Sequence, residues 1–255
     1  MSFLSGLFYA ILYKPIFNLL ILFYKYLPGN DFGVAIIILT ILIKAVLYPL
    51  GSKAIRSQRA LSELQPKMKE IQEKYKNDKE KQVKAMMELY QKEKINPFSG
   101  FLPILIQLPI LFALYRVFWK GMEPEVLSSF LYNNPIFHID KINQSFLGAI
   151  NLGHSTSFGG QLVWANVILV ILVGISQFIQ MKMVMPKIKK TSRTKGDSLG
   201  QVSNVMQKQM VYFLPIFTVF ILWRLPAALG LYWLVTNLFS IIQQYFIFKK
   251  RAAQN

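Results

Sequence analysis

The sequence predicts an all-α polytopic membrane protein: a five-span helical core with a cytoplasmic antiparallel helical hairpin and an N-terminal interfacial helix. Three observations carry that reading. The apolar residues, 53% of 255, are gathered into long runs, each near the ~20 residues a helix needs to cross a ~30 Å hydrocarbon layer. The cationic residues are sorted between the segments that separate the runs. One of those segments carries a helical seam. Lipid supplies no hydrogen-bond partners, so the backbone of each run bonds within itself, as a helix.

Composition narrows the chemistry. The chain has no cysteine, which excludes a disulfide scaffold, a thiol nucleophile, a cysteine zinc site and a lipid-modified cysteine. His138 and His154 are the only imidazoles, too few for a multi-histidine metal cage. No phosphate-binding loop, zinc-protease or serine-hydrolase motif is present, so the chain is expected to be no enzyme and to carry no cofactor.

Taken in order, residues 1–32 form the N-terminal segment. Phe3 to Leu27 is apolar and aromatic, with Lys14-Pro15 midway. It lacks the basic head and the small-x-small site of a secretory signal. Proline breaks a straight helix, which favours a broken helix in the membrane interface, where Tyr9, Tyr13, Tyr24 and Tyr26 are well placed. A sixth span turning at Pro28-Gly29-Asn30-Asp31 is the rival, and both readings put Gly33 on the same side. The expected spans are 33–50, 100–119, 162–181, 210–224 and 225–248. The fourth is short and must thin the bilayer or borrow Arg224-Leu225.

Charge assigns the sides. Gly51 to Ser99 holds 12 Lys/Arg, Lys182 to Gln209 holds 7 and the tail 249–255 holds 3, whereas Lys120 to Gln161 holds only Lys120 and Lys141. By the positive-inside rule the first three are cytoplasmic and 120–161 is extracytoplasmic. The net charge of +17 is thereby mostly topology, not a nucleic-acid surface. The N-terminus is then outside if residues 3–27 are interfacial, and the C-terminus is cytoplasmic.

Residues 51–99 are too regular for a loop. Leu61, Leu64, Met68, Ile71 and Tyr75 recur at spacings of 3 and 4, the seam of one helix packed on another. Asn77-Asp78 marks a turn, and Val83, Met86, Met87 and Tyr90 make a second stripe. The result is a helical hairpin standing off the membrane, tethered only at Gly51 and Ile95-Asn96-Pro97 and so expected to move against the spans. Its methionines suit adaptable contacts. The loop Lys187 to Gly200 lacks periodicity and is basic, fit to touch anionic lipid or RNA.

Lys44 is the sharpest anomaly. It stands in IIILTILIKAVLYPL, where a buried charge costs at least a few kcal/mol. It faces protein or water inside the membrane, or it snorkels to the cytoplasmic surface. Thr40 lies one turn away on the same face. Gln107, Gln177, Gln180, Asn237, Gln243 and Gln244 add polarity, most of it toward the cytoplasmic half. Each alone could serve to bond a neighbouring helix; together they describe a wet, positive cavity open to the cytoplasm. No span carries an acidic residue, which argues against a proton or cation carrier.

The run GVAIIILTILIKAVLYPL, then NPFSGFLPILIQLPI, then LPAALGLYWLVTNL resembles the YidC/Oxa/Alb family of membrane-protein insertases, from about Gly33 to Phe248 and least clearly between Lys120 and Leu162. The resemblance implies a bacterial plasma-membrane insertase with a hydrophilic groove in the inner leaflet. It places the groove's basic residue at Lys44, where the family usually has arginine, and groove positions at Thr40, Trp233, Tyr232, Gln107 and Gln177. Lysine keeps the charge but loses the planar fork. Against that family pattern, no large outside domain is expected before the first core span, no lipobox cysteine is present, and the tail KKRAAQN is expected to be short. The implied partners are nascent membrane-protein substrates, the translating ribosome through the cytoplasmic segments, the Sec translocon and anionic lipids. An anion transporter using the same cavity, and a passive assembly scaffold, are the other readings; a transporter needs a polar path through the outer leaflet, and a scaffold has no need of Lys44.

Overall fold

The computed structural model describes residues 3–27, 29–96, 98–99, 102–119, 130–137, 139, 142–185 and 211–252. The loop Lys187 to Gly200 and residues 253–255 of the tail expected to follow the last span lie outside the described residues. The protein is an all-α polytopic membrane protein with little sheet.

The N-terminal segment is α1 (Phe3–Phe8), a π-helical turn (Tyr9–Tyr13) and α2 (Lys14–Tyr26). The break expected at Pro15 is absent. Pro15 follows directly on the π-helical turn, whose wider spacing makes room for a ring that would otherwise clash with the preceding turn. Gly6–Tyr26 therefore runs as one 21-residue helix, long and apolar enough to cross a membrane.

Asp31 opens α3 (Phe32–Val46) by accepting a hydrogen bond from the Val34 amide at 3.0 Å. The helix ends short of the expected Leu50. The chain turns by 70° at Leu47 into α4 (Tyr48–Lys74), because Pro49 has no N–H with which to continue the α3 ladder. The proximal half of α4 does not stand off. It buries Ser52, Ala54, Ile55, Ser62 and Leu64 against the bundle, while Pro66 sits inside the helix without ending it.

The hairpin closes through α5 (Lys79–Lys92), capped by Asp78, which accepts from the Lys81 amide at 3.0 Å. That amide, with the Lys81 ammonium, holds the Asp78 carboxyl below the usual carboxylate range. Tyr90 Oη donates to Met68 Sδ at 3.4 Å, Gln82 Nε2 to the Gln72 carbonyl at 3.3 Å, and Lys67 pairs with Glu93 at 2.5 Å. Of the expected seam, Met68 meets α5 through Tyr90 and Leu64 is buried, whereas α5 leaves Val83 and Met87 exposed.

The bundle is completed by α6 (Leu102–Trp119), α7 (Trp164–Val184), α8 (Val211–Leu222) and α9 (Ala227–Ala252). Its core unites Tyr13, Phe17, Phe32, Ile36, Leu39, Leu114, Val170 and Leu229. Gly174 brings α7 against α8; a Cβ there would strike Val219. The described part of α8, 12 residues, is about 18 Å long.

Two short hairpins, β1–β2 (Ser145–Phe146, Ile150–Asn151) and β3–β4 (Ser157–Phe158, Gln161–Leu162), cap one end. The cap gathers the first residues of three helices. Leu147 N donates to Asp31 Oδ2 at 2.7 Å before α3, and the amides of Ala227 and Ala228 in α9 donate to His154 and Leu152 carbonyls at 2.9 Å. In α7, Asn166 Nδ2 donates to the carbonyls of Asn151, His154 and Ser155. Hence α3, α7 and α9 run parallel, away from the cap. The Phe146 ring fills the space a Cβ on Gly33 would need.

Candidate functional site

Away from the cap, α9 turns polar. Tyr232, Thr236, Asn237, Ser240, Gln243 and Gln244 are all buried. Their spacing, near 4, 4, 3 along one row with Asn237 and Gln244 beside it, lays them on a broad inward face. Helix geometry alone makes this seam, and four other helices supply its partners.

From α3, Lys44 Nζ donates to Ser240 Oγ at 3.0 Å and lies 5.8 Å from the centroid of the Phe239 ring. The ammonium thereby faces α9 inside the bundle. An ammonium over an aromatic face gains from the ring quadrupole. From α6, Gln107 Nε2 donates to Tyr232 Oη at 2.5 Å. From α7, Ser176 Oγ accepts from Asn237 Nδ2 at 3.0 Å and donates to the Val173 carbonyl at 2.8 Å. At the α3–α4 bend, Gln243 Nε2 donates to the Tyr48 carbonyl and to Ser52 Oγ at 3.1 and 3.0 Å.

The expected groove residues are distributed as follows. Lys44, Gln107 and Tyr232 join the seam through the bonds above. Thr40 is buried one turn from Lys44 but turns its hydroxyl back onto the Ile36 carbonyl at 2.6 Å. Gln177 is buried on α7, its Oε1 without a hydrogen-bond partner among the described residues, as is Gln244 Oε1 on α9. Trp233 is half-buried and packs on the apolar core. Sequence reasoning passed over Ser240, Ser52 and Ser176. Isolated serines in apolar helices are common; only the spacing of Thr236 and Ser240 at i+4 and i+8 from Tyr232 could have flagged the row. Among the described residues no group of three or more His, Asp or Glu could hold a metal ion.

Residues 22–254 match the family described as 60Kd inner membrane protein. The chain belongs to that family. Its similarity to other members of the 60Kd inner membrane protein family is broad. It is 37% identical over 243 residues to the membrane protein insertase YidC of Fusobacterium nucleatum, covering 93% of this chain and 98% of that one. It is 34% identical to YidC of Geobacter metallireducens and 38% identical to YidC of Brucella suis, over 96% and 98% of this chain. The chain spans 38% and 37% of the length of those two relatives.

Proposed function

We propose that the protein is a membrane-protein insertase and chaperone that takes hydrophobic segments of nascent membrane proteins from the cytoplasm into the bilayer, alone or beside the Sec translocon. The observation that carries this reading is Lys44: a cation inside an apolar run, bonded to Ser240 across the bundle and set among buried amides and hydroxyls. On this reading the seam is the wall of a hydrophilic groove of the inner leaflet. Lys44 attracts the carboxylates of a short acidic client segment, and Gln107, Gln177, Thr40, Tyr232 and Trp233 line the path. The protein hydrolyses nothing. Transfer of the client's apolar span into lipid, worth ~0.8 kcal/mol per methylene, drives the step.

Support for the orientation comes from charge: 12 cations in Gly51 to Ser99 against two in Lys120 to Gln161. The hairpin and the loop after α7 then face the ribosome and anionic headgroups in the cytoplasm, and the cap faces outside. For the N-terminal helix we favour the interfacial position. The Arg116 guanidinium lies 5.2 Å from the Tyr13 ring, and Tyr24 meets Phe32 at 5.9 Å, which meets Phe118 at 6.2 Å. Tyr13 and Tyr24 are ~16 Å apart along the helix, yet both lead to the last turn of α6. An anion channel is disfavoured by the apolar core between the seam and the cap.

The test is insertion of matched clients, with and without acidic outside segments, into vesicles bearing Lys44 variants. Lys44→Arg should preserve or improve insertion, Lys44→Ala should impair the acidic client most, and Lys44→Glu should be worse than alanine. Equal activity of all three variants on the acidic client would remove the groove mechanism.

A further inference from the structure

Arg59 occupies a junction that neither the charge pattern nor the seam explains. It lies on α4, two turns beyond the buried Ser52. Its Nη1 donates to the carbonyls of Met183, Val184 and Met185 at 3.4, 3.3 and 2.9 Å, and its Nε to Glu63 Oε1 at 3.0 Å. The guanidinium also lies 5.4 Å from the centroid of the Phe248 ring on α9. Ser62 Oγ, on the same side of α4, donates to the Val184 carbonyl at 3.1 Å. The last carbonyls of any helix lack partners within the helix and favour a cation beside them. Here the cation that closes α7 comes from the hairpin.

We infer that Arg59 is a positioning residue for insertion, a clasp that fixes the angle of the hairpin across the bundle. The physical reason is that α4 is held at two places. Near its start, Gln243 on α9 bonds the Tyr48 carbonyl and Ser52. One attachment leaves a helix free to pivot about it; a second, at Arg59 and Ser62 on the end of α7, removes the pivot. Beyond Leu64 the hairpin buries no further residue, so its direction is set at these two places. The planar fork serves three carbonyls, a carboxylate and a ring face together, which a lysine ammonium cannot reproduce. The role in insertion rests on the insertase reading; the clasp itself does not.

The chain's lack of cysteine permits clean labelling. Spin labels on Lys76→Cys, at the hairpin turn, and Leu162→Cys, at the cap, report the hairpin's angle in the full-length protein in nanodiscs. With Arg59 the distance distribution should be narrow. Arg59→Ala should broaden it and lower insertion of a one-span client at least threefold, with thermal unfolding of the spans unchanged, and Arg59→Lys should fall between. Should Arg59→Ala not accumulate, Arg59→Gln, which keeps one donor, carries the same comparison. An unchanged distribution would overturn the clasp, and a broadened one with full insertion would overturn its role in positioning. A parent protein that inserts no client would sink the insertase reading, leaving the distance comparison to decide the clasp alone.

Discussion

Along the parallel helices α3, α7 and α9 the two halves of the bundle are built by opposite rules. Near the cap, Phe32, Ile36 and Leu39 of α3 meet Phe17, Val170 and Leu229 in an apolar core; the few polar side chains buried at that end, Asn18, Thr156 and Asn166, bond backbone atoms, and Tyr13 Oη and Asn166 Oδ1 have no partner among the described residues. In the far half, Lys44, Ser176, Gln177, Asn237, Ser240, Gln243 and Gln244 crowd together, and two amide oxygens have no partner among the described residues. The first half is mostly apolar. The second buries a continuous set of polar side chains, and each unmet buried acceptor costs ~1–3 kcal/mol. Stability is drawn from one end and function, on the proposed reading, from the other.

The largest expected effect breaks the first half. Phe17 is fully buried and rings with Tyr13 and Phe130, so Phe17→Ala should cost ~3–5 kcal/mol through lost packing and a cavity. Thermal unfolding in detergent measures it; a loss below ~1 kcal/mol would show that this end is not the stability-bearing core. A smaller effect of opposite sign sharpens the contrast. Gln244→Leu removes the unpartnered oxygen and should leave unfolding unchanged or raise it by ~1 kcal/mol, while slowing client insertion. A clearly destabilised Gln244→Leu protein would mean the amide is a structural member like any other.

The smallest effect lies outside both halves, in the hairpin. The hydrogen bond and the charge of Lys67 hold the Glu93 carboxyl below its usual range, and the Lys81 amide does so for Asp78. A carboxylate whose pKa is depressed on folding contributes stability above its unfolded pKa and loses it as pH falls through the folded value. Labels on Glu70→Cys and Gln91→Cys should therefore show the hairpin helices loosening as pH falls below the ordinary carboxylate range near ~4, and Glu93→Gln should be loosened already at neutral pH. A spacing that ignores pH in both proteins would remove these contacts from the account.

Much of this was legible in the sequence. The apolar runs set the helices because a bilayer leaves the backbone no alternative, and Lys44 stood out because a charge in such a run demands a reason. The bend at Leu47 was written in Pro49 but was overlooked, since apolar residues continue to Leu50. Ser240 was invisible because its partner is 196 positions away; no local pattern encodes that pairing. Arg59 was hidden among the 12 cations of its segment, where a clasp and a solvated side chain look alike. The strands of the cap are two residues long, too short for any alternation to register.

The cap has one more consequence. It is attached to α9 through the amides of Ala227 and Ala228 and the carbonyls of His154 and Leu152, atoms that every residue except proline can provide on the donor side and every residue on the acceptor side. Such a joint tolerates drift in the side chains that flank it. The described part of the stretch between Lys120 and Leu162 is nevertheless bonded to the first residues of three helices. A homologue with quite different residues there would be expected to close this end of its bundle in the same way.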